Sequence, residues 1–164
     1  MIDYDKYKRI LYDITPRHVG AAFPINDCPV PLVGESVGKH LDGCKYVLVS
    51  CATLGEEFDR LLRQAQLTDI SGAIILDRLA GEYIENFCDE KDGEIIIRRE
   101  TSGKGVSGEV TGNRRFSPGY GDFPLSVSRD ILNALNAQNK IGLCVTDNFI
   151  LTPQKSITGV TGIK

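Results

Sequence analysis

The period at which apolar positions recur changes along the chain, and each period picks out an element. Lys45-Tyr46-Val47-Leu48-Val49-Ser50-Cys51-Ala52-Thr53-Leu54 is a nearly continuous apolar run. Such a run predicts a strand buried on both faces, at the centre of a sheet. Behind it, Phe58, Leu61, Leu62 and Ala65 recur at helical spacing. Glu56 and Glu57 open that segment and Arg60 and Arg63 follow, so its charges complement a helix dipole. Positions 73, 76, 80, 84, 87 and 88 predict the longest helix, with Thr68 or Asp69 as its cap. A last helix is expected from Ser126, its cap, to Asn139 or Lys140, with Ile131, Leu132 and Leu135 on its apolar side.

The remaining segments are shorter. Residues 3–11 predict a helix with Tyr4, Tyr7, Ile10 and Leu11 on one side, ended by Thr15-Pro16. We treat residues 1–14 as a helical extension of one domain spanning 1–164. His18 to Ile25 predicts a strand, Asn26-Asp27 a turn, and Pro29 to Val33 an irregular edge strand. A short helix is expected over 36–41. Gly34-Glu35-Ser36-Val37-Gly38-Lys39-His40 is not a phosphate-binding loop, because only three residues separate its glycines and His40 follows the lysine. Lys91-Asp92-Gly93 predicts a break, and Ile95-Ile96-Ile97 after it suits strand or helix. Four glycines make 102–113 turn-rich, and a strand is expected through 108–116. Val145-Thr146 and Ile150-Leu151 flank a turn, and Ile157 to Thr161 predicts a final strand. Helices and strands mix with few strand–helix–strand units, so the fold class is α+β, a mainly antiparallel sheet flanked by helices.

Composition narrows the function. The 164 residues are 41% hydrophobic and 25% charged, which suits one folded domain. A net charge of −3 without a Lys/Arg block argues against nucleic acid as a partner. Neither a transmembrane-length apolar run nor a signal-peptide layout is present, so a cytoplasmic protein off the membrane is expected. Five cysteines have no C-x-x-C spacing and only two histidines accompany them, so no metal site is expected. Cys51 and Cys144 fit as small core residues, and His18 as a structural one.

The candidate chemistry lies in Arg114-Arg115-Phe116-Ser117-Pro118-Gly119-Tyr120-Gly121-Asp122-Phe123-Pro124. Prolines and glycines shape a turn, arginine offers a planar fork for carboxylate or phosphate, and the aromatics offer flat apolar surface. On local chemistry the stretch suits a surface turn with a solvated arginine pair first, and a holder for a small anion second. Glu82, Glu85 and Asp89 project from neighbouring turns of the long helix, where they suit acid–base work, a cation, or plain solvation. Asp77, inside an apolar stretch, is the candidate for a buried, partnered carboxylate. No nucleophile–base constellation is visible, so no catalytic residue is assigned.

These segments together resemble the activation domain of cobalamin-dependent methionine synthase, in its free-standing bacterial form. The resemblance is carried by Arg115-x-x-x-Gly119-Tyr120, by Cys51-Ala52-Thr53-Leu54-Gly55 with Asp59-Arg60, by Ala73 to Asp77 with Glu85 and Asp89, and by Pro153-x-x-Ser156-x-Thr158-Gly159. It covers residues 15–164 and implies a C-shaped domain that binds S-adenosylmethionine. It implies partners too: a cobalamin-binding methyltransferase or corrinoid protein, with a reduced flavoprotein as electron donor. It places the ligand against Arg115, Phe116, Ser117, Pro118, Gly119 and Tyr120, with a helix glutamate that is Glu82 or Glu85. Asp13 is the nearest counterpart of an acidic residue on the ligand's amino group. Val160 and Thr161 stand where members of the family carry an aromatic residue. Homocysteine-, folate- and cobalamin-binding modules are missing, so the chain is not a complete enzyme by itself. The alternative role is a docking scaffold for a corrinoid protein that does not bind S-adenosylmethionine.

Overall fold

The computed structural model describes residues 3–101 and 115–164, without the side chains of 98–101. Its frame is a three-stranded antiparallel sheet of β1 (Arg17–Pro24), β2 (Tyr46–Thr53) and β5 (Ser156–Ile163), in the order β1-β2-β5. β2 is central, as its apolar run requires, and seven of its eight residues are buried. A smaller pair, β3 (Cys144–Val145) and β4 (Leu151–Thr152), brackets the expected turn. Six helices flank the sheet among the described residues: α1 (Tyr4–Tyr12), α2 (Glu35–His40), α3 (Gly55–Thr68), α4 (Ile70–Thr101), α5 (Val127–Leu135) and α6 (Ala137–Ile141). The α+β expectation holds.

Alternate residues of β2 face opposite layers. Val47, Val49 and Cys51 pack with Phe123, Ile131, Leu135 and Leu143 beneath α5 and α6. Leu48, Ser50 and Ala52 face α4. Ala52 joins an apolar cluster with Leu11, Ile14, Phe58, Leu76 and Ile84, so α1 packs into this layer. Leu48 joins a second, smaller cluster with Ala22, Ile96 and Ile163. Ser50 lies between the two.

Several expectations are corrected. No break occurs at Lys91-Asp92-Gly93: α4 runs straight through, and Ile95 to Ile97 are helical. A glycine inside a helix costs about 1 kcal/mol, and buried Cys88, Asp92 and Ile96 on one helical stripe hold the segment to the sheet. Pro29 to Val33 forms no strand; its prolines lack the N–H a ladder needs, and only Val30 of the segment is fully buried. The last helix is two, divided at Asn136 in the left-handed conformation. Ser126 makes no side-chain cap bond; the turn is closed by Val127 and Ser128 N–H groups donating to Pro124 and Leu125 carbonyls. Asp69 does cap α4, accepting from Gly72 N–H at 3.0 Å. Asp77 is half exposed and pairs with Lys155 at 2.7 Å, so it is not the buried carboxylate. Cys51 is buried and its thiol is pushed up to about 12 by burial, whereas Cys144 is only partly buried. The turn-rich residues 102–113 and most of the strand expected through 108–116 lie outside the described residues.

Candidate functional site

The site begins with a gap in side-chain volume. Gly20 of β1, Ser50 of β2 and Gly159 of β5 are paired across the sheet in a single row. Directly paired residues point to the same face, so this row of small side chains opens a trough beneath α4. Arg115 lies in it. A methyl group at Gly159 would overlap Arg115 Cγ and sit 3.0 Å from the Phe116 carbonyl oxygen. Phe116 is bonded to Val160 in both directions, at 2.7 and 2.9 Å, which ties the Arg115-Phe116 backbone to the free edge of β5.

The Arg115 side chain is only 3% exposed. Its guanidinium donates to Glu85 at 2.7 Å, Asp89 at 2.6 Å and Asp92 at 3.3 Å. These carboxylates sit at i, i+4 and i+7 on α4 and so share one helical face. Burial works against the Arg115 charge, but Cys88, Asp92, Glu85 and Asp89 together outweigh it and hold the pKa above its ordinary value. Asp92 is the deepest of the three. It also accepts from Ser50 at 2.9 Å and lies 2.8 Å from His18 Nε2, so β1, β2, α4 and the Arg115 segment meet at one carboxylate. Glu85 and Asp89 are half exposed, at 55% and 56%.

His18, Cys88 and Asp92 have donor atoms within 4.8 Å of one another, a spacing that can hold a divalent ion. The surrounding chemistry opposes it. Asp92 is already shared by His18, Ser50, Cys88 and Arg115, a second cation would meet the Arg115 guanidinium, and burial pushes the Cys88 thiol well up, so the thiolate a metal needs is disfavoured.

Beyond Phe116 the chain leaves the trough. Phe116 packs in the opposite layer, with ring centroids 5.0 Å from His40, 5.9 Å from Phe123 and 6.1 Å from Tyr120. Burial lowers the His40 pKa. A tight turn follows, closed by Gly119 N–H to the Phe123 carbonyl at 2.8 Å, with positive φ at Gly119 and Gly121. Pro118 is buried, while Tyr120 stands 64% exposed.

Of the expected site residues, the structure joins Arg115 to Glu85 and carries Phe116, Ser117, Pro118, Gly119 and Tyr120 on the adjoining bridge and turn. It does not join Glu82, which pairs with Arg78 at 3.7 Å and lines a surface hollow with Tyr12 and Tyr83. Asp13 lines a separate cavity of about 440 Å³ with Arg17, Glu56 and Glu57. Arg114 lies outside the described residues. Sequence reasoning missed Asp92, taken for a break, and the partnership of His18 and Ser50 with it. The i, i+4, i+7 spacing of Glu85, Asp89 and Asp92 was a usable signal.

No family model matches the chain, and no curated protein does. A solved structure does match: a crystal structure of the MetH reactivation domain bound to AdoHcy, with a TM-score of 0.55 and 20% identity over 71% of this chain. This chain covers 39% of that one. The likeness establishes the fold: the protein shares the α+β architecture of that reactivation domain. Among the described residues, no helix is long and apolar enough to cross a membrane.

Proposed function

We propose that this chain is a free-standing reactivation module. It binds S-adenosylmethionine and supports reductive remethylation of cob(II)alamin in a partner cobalamin-dependent methionine synthase or related corrinoid methyltransferase. A reduced flavoprotein supplies the electron, and the setting is cytoplasmic. The observation that carries the reading is the fold shared with a reactivation domain solved with AdoHcy bound.

When bound, S-adenosylmethionine supplies a methyl group activated by its sulfonium. The chain's own contribution is proximity and orientation. Arg115 is the partner for the ligand carboxylate, a charge-assisted and directional contact. Its guanidinium is engaged by the chain's own acids, so the ligand must exchange with them. Glu85 and Asp89 are the replaceable pair, because each is half in water and loses little by swinging out. Asp92 stays and keeps the guanidinium in the trough. The displaced carboxylates remain close enough to attract the ligand's ammonium. The Phe116 to Tyr120 backbone and the exposed Tyr120 ring flank the ligand.

Isothermal titration with S-adenosylmethionine and S-adenosylhomocysteine tests this. Arg115→Ala is expected to weaken binding by about tenfold or more, equivalent to about 1.4 kcal/mol. Tyr120→Ala, at an exposed position, is expected to weaken it without touching the fold. An absence of heat with the wild-type chain, even beside a cobalamin-binding protein, sinks the ligand half.

One observation favours a second reading, a docking scaffold that handles no methyl donor. Both terminal guanidinium nitrogens of Arg115 are already bonded to the chain's own carboxylates. A cobalamin-binding domain retained by the immobilised chain at equal strength with and without S-adenosylmethionine supports the scaffold. Ligand-dependent retention supports the reactivation module.

A further inference from the structure

The turn after Arg115 is fastened to α2 by Asp122, at a joint shaped from both sides. Asp122 accepts from Glu35 N–H at 2.7 Å and from Ser36 N–H at 2.8 Å, one bond to each carboxylate oxygen. Its own N–H points back to Ser36 Oγ at 3.4 Å. A carboxylate on the first amides of a helix satisfies donors that would otherwise lack partners. Here it comes from 86 residues further along the chain rather than from the preceding residue.

The close approach needs glycine on both sides. Gly34 has φ 118°, and a methyl group there would come within 2.8 Å of the Asp122 carboxylate and 2.9 Å of its carbonyl oxygen. Gly121 has φ 53°, and a methyl group there would overlap the Ser36 hydroxyl. The two bonded amides hold the Asp122 carboxyl below the usual carboxylate range, so it stays ionised at neutral pH.

The two ends of the turn are thus held differently. Phe116 is bonded to β5, and Asp122 to α2, with Gly119 and Tyr120 exposed between them. We propose that Asp122 is a positioning residue: through α2 it fixes where the Phe116 to Tyr120 backbone and the Tyr120 ring are presented. It acts on ligand binding without touching the ligand, which rests on the reactivation reading above.

The test compares wild type, Asp122→Ala, Asp122→Asn and Ser36→Ala in two measurements. Amide hydrogen exchange by NMR reads the fastening itself. Asp122→Ala is expected to speed exchange at Glu35, Ser36, Gly119 and Phe123 by about tenfold or more, while β2 amides stay protected. Asp122→Asn keeps one acceptor oxygen and is expected to fall between, and Ser36→Ala, which leaves both amide bonds in place, to match wild type. Titration with S-adenosylhomocysteine is expected to show affinity falling about tenfold in Asp122→Ala and recovering in part in Asp122→Asn. Unchanged turn exchange in Asp122→Ala overturns the proposal, whether or not the ligand binds. Loosened turn exchange with unchanged affinity also overturns it. No wild-type binding defeats the reactivation reading and the ligand role of Asp122 together, while the exchange data still decide whether Asp122 fastens the turn.

Discussion

The two faces of the sheet are built from the same three strands and fill their space in opposite ways. Toward α5 and α6, Val47, Val49, Cys51 and Val160 lie in one continuous apolar cluster. Toward α4, two apolar clusters are separated by Ser50, Asp92, His18 and Arg115. The first face is held by shape and by area removed from water. The second is held in its middle by charge, which is stable only while every partner is present. The difference teaches where a ligand can enter. A layer held by apolar contact offers no ion pair to exchange, whereas a half-exposed ion cluster offers Glu85 and Asp89.

The strongest way to break this comparison is Arg115→Met. It removes the cation from the charged layer and leaves Asp92 buried against acidic neighbours. A loss of about 3 kcal/mol in urea-unfolding stability is expected. A loss under about 1 kcal/mol would mean the layer is solvated and the contrast between faces is weak.

Neighbouring residues on β5 sharpen it next. Val160 faces the apolar layer and Gly159 the trough. Val160→Ala deletes buried methyl groups and is expected to cost about 2 kcal/mol, with ligand affinity kept. Gly159→Ala adds one methyl group against Arg115 and is expected to cost a similar amount, about 2 kcal/mol, by overpacking. It should also abolish affinity for S-adenosylhomocysteine, because Arg115 has to move. Equal effects of the two variants on affinity would remove the distinction between the faces.

The smallest effect is on acid sensitivity. His40 is half-buried beside Phe116 in the apolar layer, and burial lowers its pKa from the ordinary 6.5. Between the lowered folded value and the unfolded one, the unfolded chain binds more protons. Stability therefore rises with pH through that window and is level above it. His40→Phe is expected to flatten this part of the stability–pH curve, read by chemical denaturation at several pH values. An unchanged curve would assign the acid sensitivity to other groups.

Much of the fold was legible. The apolar run of β2 marked the central strand, because burial on both faces leaves no polar alternation. The stripes of α3 and α4 were legible because a helix repeats its buried face every three to four residues. Asp92 misled because a Lys-Asp-Gly triplet is a strong local turn signal. Its stabilising partners, Ser50 and His18, are 42 and 74 residues away in sequence. Pro29 to Val33 misled because β-branched residues suggest a strand even where prolines deny it a ladder.

The sequence by itself determined the α+β class, the central strand and the long helix. Those follow from period and residue type, which are local. Only the tertiary structure decided that Glu85 rather than Glu82 meets Arg115, that Asp92 meets it too, and that Asp122 accepts from the first amides of α2. The first two depend on strand register, which aligns Gly20, Ser50 and Gly159 into a trough. Register is a property of pairs of strands, so no single segment carries it.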